Sequence, residues 1–153
     1  MIKKIFVFFL IVFVIGIGIT ACTEGKPSER PIAHINFSSW IKESLTVSPD
    51  NKRVAYAEKQ GDKQFVVVDG KEGKAYDDIK IITLIFSPDS KQVAYAAKLG
   101  HKWCAVVDGK EGKRYNGIFT TRGGVSIFFD AADSFHYLAR IGEDIYLVEE
   151  RIE

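Results

Sequence analysis

The chain has 153 residues, 21 basic against 20 acidic, a formal net charge of +1, 46% hydrophobic residues and two cysteines. This is enough chain for one ordinary domain. The charge balance excludes the strongly basic footprint of a nucleic-acid binder, and two cysteines exclude a disulfide-stapled scaffold.

The first predicted element is an export signal rather than part of the fold. Met1-Ile2-Lys3-Lys4 is a short basic start, residues 5–19 are an unbroken run of apolar residues and glycine, and the polar stretch TEGKPSERP follows Cys22. A basic start, an apolar run and small residues before a break are the parts of a secretory signal. The run falls a little short of the ~20 apolar residues a membrane-spanning helix needs. Residues 1–21 therefore read as a signal peptide, 22–35 as a polar tether and 36–153 as the domain. Without Lys3 and Lys4 the remainder carries a net charge of −1, so no polybasic patch draws it to a membrane surface.

Ile19-Thr20-Ala21-Cys22 resembles the lipobox of bacterial lipoproteins. The resemblance implies cleavage before Cys22 and attachment of a diacylglycerol to its sulfur. It also implies a protein exported and lipid-anchored at the extracytoplasmic face of a bacterial membrane, with the lipid bilayer as its first partner. One acyl chain anchors weakly and several hold firmly. The competing reading, an uncleaved membrane anchor with an incidental cysteine, also places the domain outside the cytoplasm. The second cysteine, Cys104, sits in the apolar stretch WCAVV and reads as a buried small hydrophobe.

The domain is organised by a repeat. Residues 48–79 and 87–118 align at an offset of 39 without a gap, and 21 of the 32 aligned positions are identical. The octapeptide VVDGKEGK recurs letter for letter at 67–74 and 106–113. A degenerate third copy follows at an offset of 42, with the three extra residues expected in the glycine-bearing stretch 120–124. The full repeats lie near 44–80 and 83–119, and the degenerate one near 125–153.

Within a unit, residues 81–86 are rich in β-branched and aromatic residues and read as a strand. Ser-Pro-Asp then reads as a turn, with proline presetting φ and the serine and aspartate side chains bonding the local backbone. Residues 93–97 and 103–107 read as the next two strands, joined by a hairpin turn at Gly100-His101, as at Gly61-Asp62 in the first copy. Asp108-Gly109 starts a further reversal into a last short strand carrying Tyr115 and Ile118. No stretch of the domain sustains a 3.6-residue period, so no long helix is expected.

Four short strands per ~40 residues is the build of a β-propeller blade. Phe86-Ser87-Pro88-Asp89-Ser90 and Val47-Ser48-Pro49-Asp50-Asn51, each followed by a strand and a VVDG stretch, resemble the WD-repeat-like propeller repeats of the TolB type. Serine and asparagine stand where that family usually has glycine. The resemblance implies an all-β fold of propeller-type repeats. Three units fall short of the ~4–8 blades of closed propellers, which points to an incomplete ring, a compact derivative or a shortened product.

Gly70-Lys71-Glu72-Gly73-Lys74 has the wrong glycine spacing for a phosphate loop and no helix after it. Two carboxylates among lysines, Asp69 and Glu72 or Asp108 and Glu111, make a poor calcium loop. His34, His101 and His136 lack metal-ligand spacing, and no nucleophile signature appears, so no cofactor, no metal site and no enzymatic activity are expected. Tyr56, Tyr95 and Tyr137 share one repeat position, and Tyr76 and Tyr115 another, which favours inter-repeat core over a stacking platform. The charged turn residues Lys71, Glu72, Lys74, Lys110, Glu111 and Lys113, displayed twice on one rim, are the candidate binding residues against a background of solvated turns. The expected function is a non-catalytic binding or scaffolding module at the cell envelope. Its expected partner is another protein, or a further copy meeting it at an open sheet edge. The alternatives are an accessory or sensor propeller of an envelope hydrolase and a degenerate remnant of a longer propeller.

Overall fold

The computed structural model describes residues 27–121 and 126–152; the signal segment, Cys22 and most of the 120–124 stretch lie outside them. The described residues are all-β apart from one 3₁₀ turn at Lys42–Ser44. Among them, no helix is long and apolar enough to cross a membrane. Three antiparallel sheets follow one another along the chain. The first runs β1 (Thr46–Val47), β2 (Val54–Gln60), β3 (Lys63–Val68) and β4 (Lys71–Glu72), neighbours in space as in sequence. The second repeats that order with β5 (Asp78–Phe86), β6 (Val93–Leu99), β7 (Lys102–Val107) and β8 (Lys110–Glu111). The third holds β9 (Gly117–Ile118), β10 (Ile127–Phe129), β11 (Ser134–Ile141) and β12 (Asp144–Arg151), with β9 and β10 both paired to β11.

The expected hairpins are present. Gln60 pairs Lys63, Leu99 pairs Lys102 and Ile141 pairs Asp144, each across a two-residue turn led by glycine. Asp69-Gly70 and Asp108-Gly109 join β3 to β4 and β7 to β8 with positive φ at both residues (50° and 78°, 47° and 79°). That double left-handed turn matches the natural twist of paired strands. The Ser-Pro-Asp turns close as the sequence suggests: Ser48 Oγ donates to Asp50 Oδ1 (2.6 Å) and Ser87 Oγ to Asp89 Oδ1 (2.7 Å). The next residue in each is left-handed, Asn51 at φ 58° and Ser90 at φ 66°. This is why glycine is the usual residue there, since a side chain at positive φ is strained.

All three units share a first strand that is broken in the middle. In the first, Trp40 bridges Glu58 and then, after the 3₁₀ turn, Thr46 pairs Ala55. In the second, β5 shifts register between Lys80 and Ile85. In the third, the break separates β9 from β10. A hydroxyl repairs the ladder at two of the breaks: Ser44 Oγ accepts the Ala57 N–H and Thr83 Oγ1 the Ala96 N–H, both at 2.8 Å. The register also locates the insertion. Ile118 pairs Ala139 as Ile79 pairs Ala97, and Phe129 pairs Phe135 as Phe86 pairs Val93. The third unit therefore gains four residues within its broken first strand and loses one in the following turn, which together make the offset of 42.

The core lies between the sheets. Tyr76, Ile79, Val93, Tyr95, Cys104 and Val106 pack between the first and second, and Ala94, Ala96, Tyr115, Ile127, Phe135 and Tyr137 between the second and third. The outer face of the first sheet (Tyr56, Phe65, Val67) is covered by Ala33, Ile35 and Trp40. The shared tyrosines are therefore inter-sheet core. Tyr76 meets Tyr95 edge-on at 6.1 Å and Tyr115 meets Tyr137 at 5.9 Å, each pair joining one sheet to the next. Beyond area burial, such aromatic pairs contribute about 0.5–1.5 kcal/mol each. Cys104 is buried, its thiol pushed up in pKa chiefly by that burial, as expected of a packing residue.

Candidate functional site: the grooved rim

The Ser-Pro-Asp and Asp-Gly turns lie at the same end of the first two sheets, because one precedes β2 or β6 and the other follows β3 or β7. The aspartate of VVDG holds this end together. Asp69 Oδ1 accepts the Val54 N–H (3.0 Å) and Asp108 Oδ1 the Val93 N–H (2.9 Å), while their own N–H groups donate to Val54 O and Val93 O. These carboxylates cap a strand end, with one oxygen of each spent on that backbone N–H. Gly73 and Gly112 then pass close over the third strand, each donating its N–H at 2.8 Å to Val66 O and Ala105 O. A Cβ on Gly73 would stand 3.0 Å from Val66 O, which excludes any larger residue without backbone movement.

Folding this turn against the next sheet leaves a groove, and the molecule builds it twice. Between the first and second sheets a cavity of about 320 Å³ is lined by Arg53, Val66, Val68, Asp69, Lys71, Gly73, Val93 and Asp108. Between the second and third, a cavity of about 210 Å³ is lined by the matching Ala105, Val107, Lys110, Gly112, Phe135 and Glu150. An apolar floor with a few charged groups at the edge is the usual make-up of a recognition pocket.

The six candidate rim residues divide. Lys71 and Lys110 line the two grooves, and Glu111 lines the second. Lys74 crosses between units to Glu111 (Nζ to Oε1, 2.5 Å), which also takes Arg114 at 3.2 Å. These contacts, the hydrogen bond from Lys74 first, hold the Glu111 carboxyl below its usual pKa. Lys74 and Lys113 also lie over the rings of Tyr76 and Tyr115, at 5.8 Å each. Glu72 is exposed and lines neither groove. So Lys71 and Lys110 face the grooves, whereas Lys74 and Glu111 clasp two sheets together.

Arg53 was not apparent from sequence. Its Nε meets Asp69 Oδ2 at 2.7 Å, its Nη1 donates to Ser90 O (3.1 Å) and to Lys91 O, and its guanidinium lies 5.4 Å from the Phe86 ring centre. It ties the first Ser-Pro-Asp turn to the second, helped by the Asp50 N–H donating to Ser90 Oγ (3.1 Å). The second copy has Gln92 in its place, whose amide, turned so that nitrogen faces acceptors, reaches Ala132 O at 3.0 Å in the third. The pattern of identities hid this role, since the two positions share a function but not a residue type.

Elsewhere, His136 Nδ1 meets Asp130 at 2.7 Å and stacks on Phe128. Ser126 lines the same cavity as His136, but its buried hydroxyl makes no hydrogen bond among the described residues, so no nucleophile–base pair is assembled there. Among the described residues no cluster of three or more metal-ligating side chains occurs. His34 is exposed and offers its backbone carbonyl to the Tyr56 hydroxyl (2.9 Å), and His101 is exposed in its hairpin turn. No protein-family model matches the chain, and no curated protein is significantly similar to it.

Proposed function

We propose that this chain is an exported lipoprotein, held to a bacterial membrane through Cys22. Its propeller-type repeats act as a non-catalytic binding module for a protein partner at the cell envelope. The anchor rests on the signal-like start and the lipobox-like Ile19-Thr20-Ala21-Cys22. The propeller-type reading is supported by three successive antiparallel sheets with the same broken first strand, stacked face to face through shared tyrosines. The observation that carries the binding role is the groove built twice by VVDGKEGK, with Lys71 and Lys110 at matching places. Two like grooves side by side suit an extended protein segment better than one small molecule.

Two measurements test this. Radioactive palmitate should label the wild-type chain and not Cys22→Ala; equal labelling of both sinks the anchor. Affinity capture from detergent-solubilised envelope should retain a stable protein partner that Lys71→Ala/Lys110→Ala retains less well. The pair spares Glu111, because removing it would open the clasp to Lys74. A hydrolase activity captured instead makes the chain an accessory subunit, and no captured protein ends the binding reading.

A further inference from the structure

In the first two sheets the outer edge of the third strand is closed by the chain itself. Gln64 and Tyr76 exchange two backbone hydrogen bonds (2.9 and 2.8 Å), as do Trp103 and Tyr115 (2.9 and 2.7 Å), and Gly73 and Gly112 donate to Val66 O and Ala105 O. Counting from the hairpin, Ile145 and Leu147 of β12 occupy the places of Trp103 and Ala105. Among the described residues, no strand pairs that edge of β12. Strand alternation turns the N–H and C=O groups of Ile145, Leu147 and Glu149 outward, away from β11. Their side-chain neighbourhood is bare as well: Ile145 is 63% and Leu147 61% exposed. Leu147 lines a cavity of about 360 Å³ together with Phe119, Phe128 and Leu138.

We propose that the outer edge of β12 is a docking site for an extended, basic segment of a protein partner, which adds a strand to the third sheet. The sister sheets show the geometry of the occupant: a glycine over the Leu147 position and an aromatic residue opposite Ile145. Tyr76 and Tyr115 hold that second place and bury their rings toward the following sheet. In the third sheet the same geometry lays the aromatic ring over Ile145 and Leu147, so one occupant satisfies both the bare edge and the bare apolar face. Charge selects its sign. Residues 143–151 carry Glu143, Asp144, Glu149 and Glu150 against Arg151 alone. Strand addition draws its affinity from main-chain bonds and its specificity from alternate side chains. Glu143 and Glu149 line neither groove, so the site can be tested separately from the rim, although it rests on the reading of the chain as a protein-binding module.

The probe is a fluorescent peptide with the sequence of residues 110–116, KEGKRYN, titrated against the full chain in detergent and followed by anisotropy. Leu147→Pro removes an outward N–H and leaves the pairing with β11 intact, since proline is tolerated where no ladder bond is donated. Saturable binding is expected, weakened at least tenfold by Leu147→Pro and by Glu143→Lys/Glu149→Lys, and absent for a peptide with its three basic residues changed to glutamate. The charge-reversal pair decides the matter if Leu147→Pro proves unfolded by circular dichroism. Binding unchanged in the reversal pair overturns the proposal. So does a chain that binds no peptide but forms a dimer lost in Leu147→Pro, which assigns the edge to a second copy. Because Lys71 and Lys110 are untouched, failure here leaves the test of the rim standing.

Discussion

Single residues in VVDGKEGK have separate duties that the motif conceals. Asp108 sits at positive φ and accepts the Val93 N–H, so Asp108→Ala loses that hydrogen bond and, with it, the local polar side chain that makes the left-handed backbone tolerable for aspartate. Each effect costs about 1–2 kcal/mol, and together they should lower stability by about 2–4 kcal/mol. Lys71→Ala, on an exposed edge, should change it by less than about 0.5 kcal/mol. Urea unfolding midpoints of the two variants check both. Asp-Gly was legible as a turn because few residue pairs accept two positive φ angles. The carboxylate's bond to a strand 15 residues back was not, since it depends on which strand end the turn is folded against.

At the level of elements, the repeat is a device for stacking sheets. The second strand of the middle sheet presents Val93 and Tyr95 toward its predecessor and the small Ala94 and Ala96 toward its successor. Ala94 and Ala96 are fully buried against the third sheet, and the equivalent places in that sheet hold His136 and Leu138, with Leu138 46% exposed. Alanine is therefore required where another sheet follows closely. Ala96→Leu should cost about 3 kcal/mol by overpacking, at the high end for such changes. Leu138→Ala should cost under about 1 kcal/mol, because half-exposed side chains leave no closed cavity. Chemical denaturation of both separates the close-packed face from the open one; equal losses would mean the outer face of the third sheet is covered. The strands themselves could be read from alternation and turn residues. Their broken first strand could not, because the break shows only as a register shift between partners.

For the molecule as a whole, carboxylates bonded across turns set the response to acid. Asp50 and Asp89 are held below their usual pKa first by the serine of their own Ser-Pro-Asp turn, Asp77 by Lys63, and Glu111 by Lys74. A group whose folded pKa is lowered stabilises the fold above its unfolded pKa and loses that contribution as pH falls through the folded value. Stability should thus be flat near neutrality and decline below about pH 4, the ordinary range of free carboxyls. Glu111→Gln should make the decline shallower, with the wild-type and variant urea midpoints converging at low pH. A decline of the same slope in both would remove the Lys74–Glu111 clasp from the account. The tyrosines do not enter that range: burial raises Tyr95 to about 12 and pushes Tyr76 and Tyr137 higher still.

By itself, the sequence determined the all-β class, the repeat, its hairpins and the buried place of the shared tyrosines. Each of these follows from local rules: which residues accept positive φ, which alternate, and which recur at one offset. Only the tertiary structure decided that Lys74 and Glu111 spend their charges on each other, that Arg53 links successive turns, and that among the described residues nothing pairs the outer edge of β12 as its sister strands are paired. Those facts concern which surfaces meet between units 37 or more residues apart. Identity at a repeat position records a shared environment within a unit, whereas contact between units is set by packing, which the letters alone do not carry.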